Sequence, residues 1–242
     1  MSVDNIDGAK LFLVEDDQGL ASLVKEYFEM HGFHVTVEHH GEQAAQKILA
    51  AKPDIVVLDL MLPGKNGLDI CRELRNHSQI PVLMLTALTD DVDQIVGLEV
   101  GADDYICKPV QPRLLLARVK AILRRFSAND AGAQSKSTQE IMQFGQLAIN
   151  NSRQLVELAG QPLELTTSEL ALLTLLAEKA GQIVSRDELT NALRGFAYDG
   201  LDRTVDTLVS RLRKKLGDDG NHPQKIKTVW KKGYLFVADA WE

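Results

Sequence analysis

Residues 55–64 read IVVLDLMLPG: four apolar side chains, the carboxylate of Asp59, three more apolar residues and a Pro-Gly break. Four consecutive aliphatic residues before a charge describe a strand buried on both faces, as in a parallel sheet. A lone carboxylate at the end of such a strand is costly to desolvate, so it needs a compensating interaction. Other strand ends in the sequence supply candidates.

Working outward, short apolar runs at 11–14, 35–37, 82–85 and 105–106 alternate with segments of helical period. In the first of these, Leu20, Leu23, Val24, Tyr27 and Phe28 recur at i, i+3, i+4, i+7 and i+8, which predicts one buried helix face. Five such β-α units predict a parallel sheet covered by helices on both sides. Functional groups then gather at the carboxyl ends of the strands. Glu15, Asp16 and Asp17 follow the first strand and Asp59 closes the third, positions that right-handed crossovers make neighbours. Carboxylates so close repel one another unless something positive compensates, and a hard divalent ion such as Mg²⁺ suits them. Asp17 has a simpler alternative role, as the cap of the helix beginning near Gln18. Thr86 and Lys108, at two further strand ends, add a hydroxyl and an ammonium. Together these are the parts for phosphoryl transfer to Asp59 as nucleophile.

Bulk properties fit a globular chain of two ordinary domains. The 242 residues carry net charge −7. No apolar run approaches the roughly 18 residues of a membrane span, and the acidic start lacks the plan of a secretory signal. The expectation is a cytoplasmic protein. Two distant cysteines fit reduced thiols, and six histidines show no metal-ligand spacing beyond the adjacent pair His39-His40. Residues 8–126 form the first expected domain. Residues 127–139, within which SANDAGAQSKSTQ has no apolar periodicity, are read as a flexible linker, and 140–242 as the second domain.

In the second domain the order changes to strands at 144–149 and 155–158, helices from Thr167, Ser185 and about Asp202, and a terminal hairpin at 225–237. Ser185 with Glu188 reads as a capping box. Three helices and a β-ribbon outline a winged helix-turn-helix. Across 203–232 there are nine basic residues against three acidic. In the third helix Val205, Leu208, Val209, Leu212 and Leu216 make an apolar stripe, while Arg203, Thr207, Ser210, Arg211 and Lys214 form the other face. A helix apolar behind and cationic in front suits a DNA major groove.

The stretches LVEDD, VVLDLMLPGKNG, LTA and DDYICKP resemble the receiver domain of bacterial two-component response regulators. The resemblance implies a flavodoxin-like (βα)5 fold with parallel sheet order 2-1-3-4-5, and phosphorylation of Asp59 by a sensor histidine kinase. It implies that Asp16 and Asp59 bind Mg²⁺ directly, with Glu15 reaching the ion through water and Met61 through its carbonyl. Thr86 and Lys108 would contact the phosphoryl group, Lys108-Pro109 would be cis, and Tyr105 would be the switch aromatic.

The second half resembles the winged-helix effector domain of the OmpR/PhoB family, with RTVDTLVSRLRKKLG as recognition helix and IKTVWKKGYLF as wing. By that match Arg203, Arg211, Arg213 and Lys214 reach phosphates of promoter DNA, and Asp206, Thr207 and Arg211 lie where base edges are read. Trp230 stands where a minor-groove arginine is usual, with Lys231 and Lys232 beside it. Loop 194–201 occupies the place that contacts RNA polymerase. A homodimer built on the fourth helix, fifth strand and fifth helix of such receivers would use Glu99, Asp103, Asp104, Arg118 and Lys120, pairing Asp104 with Arg118 and Glu99 with Lys120 across subunits. Gln94 and Leu114 replace one usual pair of opposite charges. Two rivals stand beside this reading. One is a DNA-binding protein whose receiver is only a dimer scaffold. The other is an aspartyl-phosphate phosphohydrolase, against which Met61 speaks by standing where a second acid is usual.

Overall fold

The aliphatic run that carries Asp59 becomes β3 (Ile55–Asp59), whose five residues are all buried. In the computed structural model, which describes residues 8–86, 100–131, 141–194 and 204–242, it lies at the centre of one sheet. Its companions are β1 (Lys10–Val14), β2 (His34–Glu38), β4 (Val82–Thr86) and β5 (Asp104–Cys107). The order is β2-β1-β3-β4-β5 and every pairing is parallel. Helices α1 (Gln18–Glu29), α2 (Ala44–Ala51), α3 (Gly67–Arg75) and α4 (Pro112–Ala131) complete this unit as described; the expected fourth receiver helix, with Gln94 and Glu99, lies outside the described residues. The buried stripe of α1 is Ala21, Val24 and Phe28. Leu23, expected inside, is 52% exposed. It sits about 100° round the helix from Val24, on the side away from Ala21 and Phe28.

The chain divides into two compact units at Arg124–Arg125. The helix crosses that boundary, because α4 runs to Ala131 and takes in the first residues of the expected linker. Extending an existing helix through Ser, Ala and Asn costs little once it is nucleated. Residues 132–140 lie outside the described residues.

The second unit opens with an antiparallel sheet of β6 (Ile141–Phe144), β7 (Leu147–Asn150), β8 (Leu155–Leu158) and β9 (Gln161–Pro162). The single strand expected over 144–149 is thus the end of one strand and the start of the next. Gly145 makes the break: its φ is +47° and a Cβ there would lie 2.3 Å from the carbonyl oxygen of Trp241. Next come α5 (Thr167–Glu178), β10 (Ile183–Val184), α6 (Arg186–Arg194), α7 (Thr204–Leu216), β11 (Ile226–Val229) and β12 (Gly233–Phe236), with β12 central between β10 and β11. Leu172, Leu173, Leu176, Leu212, Phe236 and Trp241 are buried in its core. The capping box at Ser185 is half made, since the Glu188 amide donates to Ser185 Oγ at 3.1 Å while the Glu188 carboxylate pairs with Lys179. A complete box stands instead at Thr166 and Glu169. Among the described residues no helix is long and apolar enough to cross a membrane.

Candidate functional site

The parallel register brings the predicted strand ends together. Asp59 pairs with Leu85, Thr86 is the next residue on β4, and Thr86 pairs with Cys107, immediately before Lys108. Glu15 and Asp59 are almost wholly buried, at 0% and 2% exposure. The Lys108 ammonium bridges them, donating to Glu15 Oε1 at 2.9 Å and to Asp59 Oδ2 at 2.8 Å. The Met61 amide donates to the other Asp59 oxygen at 3.2 Å, so the backbone of Met61 adjoins the pocket while its side chain points to solvent. Lys108-Pro109 is cis, and the Lys108 amide donates to the Thr86 carbonyl at 2.6 Å. Thr86 and Tyr105 are both buried. Asp17 takes the capping role, accepting from the amides of Gly19 and Leu20.

Electrostatics sharpen this geometry. Burial, helped by the neighbouring Asp59, holds the Glu15 carboxyl above the usual carboxylate range although the Lys108 hydrogen bond pulls the other way. Burial disfavours the Lys108 charge, but the hydrogen bonds to Asp59 and Glu15 outweigh it and raise its pKa. One ammonium thus serves two buried carboxylates, and it leaves a demand unmet: Glu15 Oε2 is buried without a hydrogen-bond partner among the described residues. Glu15, Asp16 and Asp59 each offer an oxygen within 4.8 Å of the others. An orphaned buried carboxylate oxygen within a three-acid cluster is the donor set a hard divalent cation takes, so these residues fit Mg²⁺.

The side chains of α7 differ in exposure. Ser210 and Lys214 are exposed, but Thr207, Arg211 and Arg213 are buried. Arg211 pairs with Glu169 at 2.8 Å, and Lys215 reaches the other oxygen of the same carboxylate at 2.7 Å. Arg213 donates to the Ile226 carbonyl, at 2.9 Å from Nε and 2.6 Å from Nη2, and to Thr228 Oγ1 at 2.8 Å. Asp206 accepts from Arg186 at 2.8 Å and from the Tyr234 hydroxyl. These side chains tie α7 to α5, α6 and the β11–β12 hairpin. Helical period placed Thr207 and Arg211 on the outward face because it saw one packed face, whereas α7 is covered on several sides. Trp230, Lys231 and Lys232 are exposed at the hairpin turn. Arg203 and most of loop 194–201 lie outside the described residues.

The dimer residues also differ from expectation. Asp104 and Arg118, read as partners between subunits, meet within one chain at 3.2 Å, and Arg118 also donates to the Tyr105 carbonyl at 2.7 Å. Asp103 is 2% exposed and accepts from Arg75 at 2.9 Å and from the Val82 amide at 3.0 Å, so it fastens the sheet edge instead of facing a surface. Lys120 is half-buried, and Glu99 lies outside the described residues. Glu169, Arg186 and Tyr234 were missed by sequence reasoning; only Glu169 carried a signal, the T-x-x-E spacing from Thr166.

A phosphoacceptor-like acid pocket on one unit and a basic winged helix on the other define a two-component response regulator that binds DNA and regulates transcription. Residues 11–120 match the response regulator receiver domain, and residues 160–236 match the domain described as transcriptional regulatory protein, C terminal. The chain belongs to the OmpR/PhoB family of response regulators. It is similar to the transcriptional regulatory protein RstA of Escherichia coli (strain K12), with 46% identity over 239 residues covering 96% of this chain and 99% of the relative. The transcriptional regulatory protein CpxR of the same strain is 43% identical over 229 residues, covering 95% and 98%. A solved RitR mutant matches with a TM-score of 0.71 at 24% identity over 95% of this chain and 99% of that one, a likeness of fold alone.

Two outcomes are expected. Mg²⁺ at about ten times its Kd should stabilise the receiver by roughly 1.4 kcal/mol, read as a rise in melting temperature. Asp16→Asn should abolish most of that rise, and an equal rise in the variant would remove the cluster as the metal site. In the second unit, burial and the bond to Asp206 push the Tyr234 hydroxyl well above its ordinary value. The folded state therefore keeps its proton where the unfolded chain loses it. The stability this contributes is intact below about pH 10 and falls as pH rises beyond. Tyr234→Phe should flatten that alkaline loss in urea titrations while lowering neutral stability by about 1 kcal/mol.

Proposed function

We propose that this regulator is switched by phosphorylation of Asp59 by a sensor histidine kinase, RstB-like by the similarity to RstA. The carrying observation is the Lys108 ammonium within hydrogen-bond reach of Asp59 at the mouth of a buried acid cluster. Asp59 attacks phosphorus, the bond to the donor breaks, and Lys108 moves from neutralising Asp59 to holding a phosphoryl oxygen. Glu15, Asp16, Asp59 and the Met61 carbonyl would hold Mg²⁺, which when bound supplies positive charge to the phosphoryl oxygens. Thr86 would take another phosphoryl oxygen, and Tyr105 would follow it as the switch aromatic. With Met61 two positions after the nucleophile no second acid is present to drive turnover, which favours a regulator over a phosphohydrolase.

The phosphorylated receiver then dimerises, and two recognition helices occupy tandem half-sites in promoter DNA, multiplying affinity through effective concentration. Ser210, Lys214, Lys231, Lys232 and Arg203 are the side chains proposed to meet DNA, loop 194–201 to meet RNA polymerase, and the cytoplasm is the compartment this partnership requires. The phosphate need bias the receiver surface by only a few kcal/mol.

Sedimentation with acetyl phosphate and Mg²⁺ should convert monomer to dimer, and binding to a duplex selected from a random pool should tighten by one to two orders of magnitude. Asp59→Ala should lose both effects. Full DNA binding by that variant in the absence of phosphate would favour the scaffold reading instead.

A further inference from the structure

Glu15 is fastened through its backbone as well as through its carboxylate. Its amide donates to the Glu38 carbonyl at 3.0 Å, and its own carbonyl lies 2.8 Å from His39 Nδ1. A carbonyl oxygen only accepts, so Nδ1 carries the hydrogen and His39 is the donor. The pair His39-His40 was the one histidine spacing in the sequence that suggested a metal. The structure instead aims Nδ1 of the half-buried His39 at backbone and leaves His40 exposed. The carbonyl it meets belongs to the peptide that joins Glu15 to Asp16, two members of the acid cluster. A peptide group is planar, so holding its oxygen fixes the direction in which the residues on either side leave it.

The donor is itself held. Glu38 Oε1 accepts from the amides of His39 and His40, at 3.1 and 3.2 Å, and Lys47 of α2 pairs with the other oxygen. The same turn also reaches the loop that follows β3. The Gly41 amide donates to the Pro63 carbonyl at 3.0 Å, and a Cβ on Gly41 would lie 1.9 Å from the Lys65 carbonyl oxygen. That loop carries Met61, whose amide donates to Asp59. Residues 38–41 therefore brace both segments from which the acid cluster is built. Carboxylates brought together repel one another and tend to spread. A brace that holds them before an ion arrives lowers the ordering cost of binding it.

We propose that His39 is a positioning residue for the Mg²⁺ site: by fixing the Glu15–Asp16 peptide through its Nδ1–H, it sets the affinity of the acid cluster for the ion, and with it the metal concentration at which Asp59 is phosphorylated. The inference rests on the metal and phosphorylation reading above. His39 acts through the Glu15 carbonyl and not as a ligand. Residues that orient metal ligands in this way contribute about ten- to a hundredfold to metal affinity.

The test uses the full chain and Mn²⁺, which takes the same oxygen ligands as Mg²⁺ and whose free-ion spin resonance signal reports binding directly. His39→Leu should bind the ion about tenfold more weakly than the parent. His39→Asn, whose amide nitrogen can stand where Nδ1 stands, should return to the parent's affinity. Leu and Asn branch alike, so the pair isolates the donor. His40→Ala should bind as the parent does. In acetyl phosphate labelling, His39→Leu should need about tenfold more Mg²⁺ to reach half its maximal rate, yet match the parent once the metal saturates. An unchanged Mn²⁺ affinity in His39→Leu, even with lower stability in the absence of metal, makes the residue a support of the fold alone and overturns the inference. An equal loss in the Leu and Asn variants, or the same loss in His40→Ala, overturns it too. Should His39→Leu fail to fold, His39→Ser, too short to reach the carbonyl, takes its place with the same outcomes. If the parent takes up no Mn²⁺, or Asp16→Asn binds it equally well, the metal reading itself fails and the inference falls with it.

Discussion

The Lys108 ammonium, shared between the buried carboxylates of Glu15 and Asp59, is the interaction on which the receiver depends. Three strand ends meet there because parallel β-α-β connections return every strand in the same direction. Removing one member of such a buried set leaves the others uncompensated, at a cost of about 3–5 kcal/mol. The site is therefore under tension by construction: one cation serves two acids, and one oxygen of Glu15 has no partner among the described residues. A pocket with unmet demand for positive charge suits the uptake of a metal ion, and a lysine already shared between two acids suits the phosphoryl exchange proposed for it.

The effector domain solves a different problem. Its recognition helix carries more arginine than an exposed face needs, and the structure puts that surplus to structural use. Arg211 with Glu169 joins α7 to the N-terminus of α5, and Arg213 joins it to the hairpin. Arginine suits this work because its planar fork satisfies several acceptors at once. The side chains left exposed are Ser210, Lys214 and Lys215 on the helix and the three residues of the hairpin turn.

The receiver site was legible in the sequence because its chemistry sits at strand ends, where topology dictates neighbours. Glu15, Asp59, Thr86 and Lys108 could be placed from the order of apolar runs alone. The effector was harder. Helical period identifies one buried stripe, yet α7 packs on several elements, so Thr207 and Arg211 read as outward when they are buried. The strand expected over 144–149 concealed a turn at Gly145, since no Asn-Gly or Asp-Gly pair marked it. Asp103 and Asp104, at the start of β5, misled for a similar reason: they look like surface charges, but their partners Arg75 and Arg118 come from the helices α3 and α4, and burial there reflects tertiary packing that local pattern does not encode.

The most direct test of the central claim is intact and peptide mass spectrometry after incubation with acetyl phosphate and Mg²⁺. The account predicts one added phosphoryl group per chain, located on Asp59, and a much slower gain when Lys108 is replaced by Met. A modification elsewhere in the chain, or equal labelling in the Asp59→Asn protein, would contradict it.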